Sequence, residues 1–506
     1  MAATDTTPGT GSIPAVAPAG EVKLRPEESR VVWLLLAAAF VAILNETTMG
    51  VAIPHLIDDL GITALAAQWL TTAFMLTMAV VIPITGFLLR RFTTRTMYVS
   101  AMGLFSAGTL IAFLAPGFEV LLVARIVQAS GTAIMMPLLM TTLMTVVPPA
   151  IRGRMMGRVS IVMSLAPAIG PTLAGAMLNV FEWRWIFGIV LPIAVVALFV
   201  GARWIHNLGE TVRAPIDVLS VILSAFGFGG LVFGLSQLGA GGHGTGAAAE
   251  AASAASTTTL IVALSVGVVA LGLFGWRQVL LQRKDDALLD LRVFRSGNFS
   301  LSIAHMAVMS MAFFGAITVV PLYLQRVIGA TPLDAGLVVL PGALAMGFAG
   351  PLIGRIYDRW GTRVLLVPGA VITSAMLWVY TLFSASTPVL VVAIVQTVLS
   401  VGLAMSFTPL FTASLGSLEP RFYSYGSAVV GTVQQVAGAA GIALMFGVMA
   451  AATATAADGG AGAIAAEDAG THAAFVIALI LSLPLLVTAF LIRKPADQPV
   501  GAPPAH

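Results

Sequence analysis

The stretch PITGFLLRRFTTR at 83–95 recurs as PLIGRIYDRWGTR at 351–363, so Pro83, Gly86, Arg91 and Arg95 are matched by Pro351, Gly354, Arg359 and Arg363 at an offset of 268 residues. The same offset maps Leu122, Val123, Ile126, Val127 and Gln128 onto Leu390, Val391, Ile394, Val395 and Gln396, and Gly170 onto Gly438, without a gap. One offset shared across this many segments is the mark of internal duplication.

What is duplicated follows from composition. Of 506 residues, 58% are hydrophobic and 9% charged, and the mean hydropathy is +0.99; soluble domains carry about 25% charged residues. A water-soluble enzyme is excluded. Apolar runs of about 20 residues are long enough to cross a bilayer as helices. They fall near 31–55, 65–88, 97–116, 119–147, 155–178, 184–204, 217–237, 258–280, 298–324, 333–357, 364–384, 388–415, 424–452 and 472–492, which makes fourteen spans. The chain has no cysteine, and its six histidines have no ligand spacing, so disulfide, thiolate-metal and redox chemistry have no basis in it. No Gly-rich Lys-Ser/Thr phosphate loop is present, which argues against ATP-driven transport within this polypeptide. No cluster of nucleophile, base and metal ligands supports an intramembrane enzyme.

Charge placement sets the topology. Lys23, Arg25 and Arg30, the even-numbered loops and the pair Arg493 and Lys494 hold 22 of the 25 basic residues. Only Arg184 and Arg326 fall on the other side, and Arg125 alone lies inside a span. By the positive-inside rule both termini are cytoplasmic. The expected division is a polar, disordered tail at 1–30, a six-helix bundle at 31–205, two inserted helices with their loops at 206–297, a second six-helix bundle at 298–493 and a short tail at 494–506. Two Gly/Ala-rich outer loops, around 238–257 and 453–471, are expected to be flexible. Both copies begin on the cytoplasmic side, so the repeats are parallel and related by an axis along the membrane normal, an arrangement that rocks around a midplane site.

Three strings then carry a family resemblance: GFLLRRFTTR (86–95) after the second span, LVARIVQASG (122–131) on the fourth and APAIGPTLAG (166–175) on the fifth. In this order they resemble the motifs of the major facilitator superfamily, specifically its fourteen-span drug/proton antiporters of the EmrB/QacA type and the lincomycin-resistance exporters among them. The resemblance implies an all-α fold of 6+2+6 helices and an exporter of amphipathic drugs driven by protons, with no other cofactor. An exporter or flippase of a lipid or endogenous metabolite is the alternative that the same pocket physics allows. The implied partners are a small amphipathic or lipophilic substrate, protons and membrane lipids, with no nucleic acid, in a monomer of the bacterial plasma membrane. Two departures stand out. The loop motif usually carries an acid where this chain has Arg90, whereas its second copy keeps Asp358. The first-helix motif usually places Asp where this chain has Asn45, with Glu46 beside it.

An ionisable side chain inside the membrane is a functional hypothesis by default. Glu46 lies about 22 Å along the first helix, where a carboxyl can alternate between charged and neutral forms. Arg125 enters the fourth helix from the opposite end by about 9 Å and can share its depth, which permits a direct or water-bridged pair with Glu46. Substrate arrival or a conformational change that separates the two then becomes a trigger for proton uptake. His305, about 10 Å into the ninth helix, is a further titratable candidate. The cavity candidates are Asn45, Gln128, Gln396, Gln434 and Gln435, together with Met136 and Met140, which recur with Met144 on one face and whose thioethers suit varied apolar cargo. On the fifth helix Ala166, Gly170 and Ala174 form a small-residue face for close helix approach, bent by Pro167 and Pro171; the resemblance adds Gly175 and makes this the antiporter motif. At the cytoplasmic end Gly86 and Gly354 are read as tight-turn residues, and Arg91, Arg95, Asp358, Arg359 and Arg363 as a gate bonding across the two-fold axis.

Overall fold

A computed structural model describes residues 24–178, 180–207, 215–240 and 247–495. Among the described residues fourteen helices are long and apolar enough to cross a membrane. They are α1 (Pro26–Leu60), α2 (Ala64–Arg91), α3 (Thr94–Phe113), α4 (Phe118–Val146), α5 (Arg152–Leu178), α6 (Arg184–Trp204), α7 (Val218–Ala240), α8 (Ala247–Leu281), α9 (Gly297–Arg326), α10 (Pro332–Trp360), α11 (Arg363–Tyr380), α12 (Val389–Gly416), α13 (Tyr423–Asp458) and α14 (Ala463–Leu491). Their apolar length makes them, and their ends are set by capping chemistry. Thr63, Thr93, Ser296 and Thr331 each accept a backbone N–H of the first turn. At Thr331 the cap is reciprocal: its backbone N–H donates to the Asp334 carboxylate at 3.1 Å, which satisfies two orphan donors of α10.

Several helices outrun their apolar cores. Residues 26–30, expected in the tail, form the first turn of α1, where the Glu28 carboxylate accepts the Arg25 N–H at 3.1 Å; the rest of the tail up to residue 23 lies outside the described residues. The two Gly/Ala-rich connections are also shorter than expected. α13 continues to Asp458 and α14 begins at Ala463, which leaves 459–462, and α8 begins at Ala247, leaving 241–246 outside the described residues. The reason is alanine. These segments lack an apolar pattern, yet alanine is the strongest intrinsic helix former.

Packing divides the helices as the duplication requires. α1 packs on α4, α5 and α6, α4 on α2 and α3, and α3 on α6; in the second set α9 packs on α13 and α14, α12 on α10 and α11, and α14 on α11 and α13. The sets meet through α2 on α13 and α5 on α10, with α4 also touching α13 and α5 touching α12. Because α2 corresponds to α10 and α5 to α13 under the repeat, these two principal contacts are images of each other. The inserted pair α7 and α8 packs closely through Gly227, Gly230 and Gly234: a Cβ on Gly230 would lie 2.9 Å from the Ala263 carbonyl oxygen and 3.0 Å from the Gly267 Cα. α7 itself lies against both α2 and α13, on the seam between the bundles.

Candidate functional site

The interior of the first bundle holds one fully buried guanidinium. Arg125, 1% exposed, donates from Nη1 to Gln128 Oε1 at 3.0 Å and to Asn45 Oδ1 at 3.3 Å, and its Cζ lies 4.1 Å from the Phe74 ring centroid. Gln128 passes the chain on, donating from Nε2 to Thr109 Oγ1 at 2.8 Å, which in turn donates to the Phe105 carbonyl at 2.7 Å. Four helices, α1 to α4, therefore converge on one cation. Arg125 Nε and Asn45 Nδ2 are buried with no hydrogen-bond partner, so the node keeps two unused donors.

Glu46 is next to this node but does not pair directly with it. Glu46 as a residue is partly exposed, and its carboxyl feels the charge of Arg125; a direct partner of the guanidinium is its chain neighbour Asn45. Successive helix residues point about 100° apart, so only one of the two can face Arg125. Of the direct or water-bridged pair that shared depth permits, the direct form is not made: the guanidinium bonds the amide, and Glu46 is reached by a longer-range charge interaction.

Other site residues separate into buried braces and partly exposed positions. Gln128 and Gln396 are buried at 0% and 2%, and Gln396 accepts from the Tyr380 hydroxyl of α11. Both brace helices and do not line open space. Met140 and Met144 are buried as well, whereas Met136, Gln434 and Gln435 are partly exposed. His305 sits in the second bundle, 1% exposed, with Nδ1 at 2.7 Å from Thr488 Oγ1 of α14 and Nε2 unpartnered; it is not brought to Arg125. On α5 the small face works against α1: a Cβ on Gly170 would strike Thr47 Oγ1 and lie 3.1 Å from the Leu44 carbonyl oxygen. Ala166 and Ala174 are fully buried, while a Cβ on Gly175 would meet nothing within 4 Å.

The gate residues need reassignment. Gly86 and Gly354 lie inside α2 and α10, not at turns, and what they permit is close approach of the bundles. A Cβ on Gly354 would collide with the Gly153 carbonyl oxygen and lie 2.9 Å from the Arg154 Cα; one on Gly86 would lie 3.1 Å from Ala428 Cβ and from the Ser424 carbonyl oxygen. Asp358 closes the first of these contacts. Its carboxylate accepts the backbone N–H groups of Gly153 at 2.7 Å and Arg154 at 2.9 Å, orphan donors in the first turn of α5, so one bundle caps a helix of the other. At the equivalent position Arg90 donates to the Tyr425 hydroxyl of α13 at 2.9 Å. Arg95, Arg359 and Arg363 are exposed and make none of these contacts; Arg359 lies over its neighbour Trp360 and Arg91 over Phe92.

Further contacts between the bundles follow the same end. Ser160 and Thr408 share a 2.6 Å hydrogen bond, and Thr141 and Ser427 one of 2.8 Å. Beyond them α5 turns to α1 at Gly170, and α10 turns to α12, where a Cβ on Gly342 would meet Ser400 at its Oγ, 2.5 Å away. The bundles are locked at the end that carries the 83–95 and 351–363 motifs.

A duplicated scaffold of membrane-length helices with a charged interior node is the architecture of a class of membrane transporters, and the family match puts the chain in that class. The chain belongs to the major facilitator superfamily, whose family pattern matches residues 35–442, and it is a multi-pass membrane protein of that transporter family. It is 41% identical over 478 residues to the MFS-type transporter YcnB of Bacillus subtilis, covering 94% of this chain and 98% of that one. It is 38% identical over 466 residues to the lincomycin resistance protein LmrB of the same species, covering 91% and 95%. Against LmrB of Listeria monocytogenes the identity is 36% over 480 residues, covering 94% and 98%. The crystal structure of the human organic anion transporter MFSD10 superposes with a TM-score of 0.64 at 14% identity, covering 92% of this chain and all of that one; at that identity the likeness is one of fold.

Proposed function

We propose that this protein exports small amphipathic compounds, drugs among them, in exchange for protons, alternating between states open at either end. The observation that carries the reading is the Glu46 carboxyl beside the clamped Arg125. An ionised Glu46 would balance the charge of Arg125, and a neutral carboxyl leaves the cation with its amide and aromatic partners alone. Proton binding at Glu46 therefore changes the net charge at the core of the first bundle, where few other charges offset it. The lincomycin-resistance relatives support a drug as cargo, and partly exposed Met136, Gln434 and Gln435 suit an adaptable, weakly polar binding surface. The locked end, rich in arginine, is read as cytoplasmic by the positive-inside rule, which makes this an outward-facing state of a monomer in the bacterial plasma membrane with both termini inside.

The test is drug or dye uptake into inverted vesicles, where export runs into the lumen, with an imposed acid-inside pH gradient. Wild-type transport should collapse on adding a protonophore. Glu46→Gln should insert normally, keep substrate binding and lose gradient-driven transport; unchanged gradient-driven efflux in that variant would remove Glu46 from the mechanism.

A further inference from the structure

The inserted helices have no counterpart in the duplication, and the polar contacts at their motif-bearing end supply a reason for them. Asp217, just before α7, accepts a bidentate pair from Arg277 of α8, Nε at 2.6 Å and Nη2 at 2.7 Å, and also accepts from the Ser220 hydroxyl. Gln278, fully buried, donates from Nε2 to Ser220 Oγ at 2.8 Å, and its Oε1 accepts the backbone N–H of Leu289 at 3.1 Å. The segment after α8 is thus tied to the α7–α8 clamp. It is unusually buried for a connection: Ala287, Leu288, Leu289 and Asp290 are at most 5% exposed. Asp290 and Asp285 both hold Arg292, which braces the segment from the other side.

The far end of this strap reaches the bundle seam. The Tyr425 hydroxyl of α13 donates to the Ala287 carbonyl at 3.1 Å and accepts from Arg90 of α2 at 2.9 Å. One hydroxyl thereby joins α2, α13 and the strap. At the other, symmetry-related contact Asp358 caps the first turn of α5 directly. At position 90 an arginine cannot cap a helix N-terminus, and α13 has no side-chain cap. A cation there would instead oppose the positive end of the α13 dipole; the phenol and the acids of the strap absorb it, and Asp285 feels the charge of Arg90.

We propose that the segment 285–292, anchored by the α7–α8 clamp, is the second latch of the gate and replaces the acid missing at position 90. Tyr425 is its pin, and Gln278 is a positioning residue that acts through the strap. In the state open at this end α2 and α13 must part, and the Arg90–Tyr425 bond must break. The inserted helices then set the balance between the two states without touching cargo. The proposal rests on the alternating-access reading above.

The absence of native cysteine makes a distance measurement direct. Spin labels on Thr96→Cys and Val364→Cys, both exposed and at the start of α3 and α11, report separation of the bundles at the gate in the full-length protein in lipid nanodiscs. Tyr425→Phe removes one hydrogen-bonding group and should raise the open-to-closed ratio roughly fivefold, the effect of a typical net hydrogen bond. Gln278→Ala should do the same, and the double variant should shift no further than either single one, because both cut one chain of contacts. Asp358→Asn serves as the reference for the other latch. If Asp358→Asn opens the gate while Tyr425→Phe and Gln278→Ala leave the distances unchanged, or if their effects simply add, the strap is not a latch. If no variant and no change of pH moves the labels, the alternating-access reading fails instead.

Discussion

Gly354→Ala isolates the gate from the fold. The added Cβ would collide with the Gly153 carbonyl oxygen, lie 2.6 Å from the Gly153 carbonyl carbon and 2.9 Å from the Arg154 Cα. These are backbone atoms of a helix held in place by Asp358, so no side chain can swing aside. Relief requires α5 and α10 to separate by about 1 Å, and overpacking of that kind costs about 1–3 kcal/mol. The cost falls only on the state in which the bundles touch, so the open-to-closed ratio should rise roughly 5- to 150-fold. The labelled Thr96 and Val364 pair reads that ratio, and the melting temperature of the purified protein reads the fold. Gly131→Ala is the control: its Cβ would collide with the Ala101 carbonyl oxygen and lie 2.7 Å from the Phe105 nitrogen inside the first bundle, so it should lower the melting temperature and leave the ratio alone. A Gly354→Ala protein with wild-type distances would refute the view that this contact seals the gate.

Two further outcomes follow from named contacts. Arg125→Lys keeps the charge but loses the planar group that serves Asn45, Gln128 and the Phe74 face together; it should destabilise the protein by about 1–3 kcal/mol and abolish gradient-driven efflux, and wild-type efflux with lysine would show that charge alone suffices. Burial of partners aside, the bidentate bond from Arg277 holds the Asp217 carboxyl at about 2, below its ordinary 3.8. A depressed carboxyl stabilises the fold above its unfolded value and loses that contribution as pH falls through the folded one. The melting-temperature gap between wild type and Asp217→Asn should therefore persist at pH 5 and close between about pH 4 and pH 2; a gap independent of pH would mean that the ion pair contributes nothing.

Span number and duplication are legible because they rest on signals spread along the chain: apolar length and the 268-residue offset. Arg125 was legible as the one basic residue within a span. Where the reading missed, the cause was local. Alanine-rich segments carry no apolar period, so they resembled loops although their backbone prefers helix. Gly86 and Gly354 stand near helix ends in sequence, and only the true ends of α2 and α10, at Arg91 and Trp360, show that they lie inside. Asn45 and Glu46 both stand out in the sequence, but their helical phase decides which meets Arg125. Phe74, Thr109, Tyr380 and Tyr425 gave no signal, since each matters through a partner far away in sequence. In the sequence Arg277 is one of many loop-side arginines, and its clamp on Asp217 appears only in the fold.

The two halves have divided the work. Position 125 holds arginine and its counterpart 393 alanine, with Gln396 satisfied by Tyr380 instead; position 358 holds the acid and its counterpart 90 arginine. The interior charge thus belongs to the first bundle, and the acid that caps a helix across the seam to the second. α5 touches both. Its middle rests on Thr47 of α1, one residue from Glu46, and its first turn is capped by Asp358, about 25 Å away at 1.5 Å per residue. Under the proposed proton exchange, a shift of α1 on protonation of Glu46 would move the capped end of α5 as a lever, provided Gly170 keeps the two helices in contact. Gly170→Ala drives a methyl group into Thr47 Oγ1 and should impair gradient-driven efflux while substrate binding remains. Adding Thr47→Ala removes the struck atom, and with it the hydroxyl bonds to the Ile43 and Leu44 carbonyls, so the double variant should recover transport. Efflux that is normal in Gly170→Ala, or a double variant no better than the single one, would show that the proton site reaches the gate by another route.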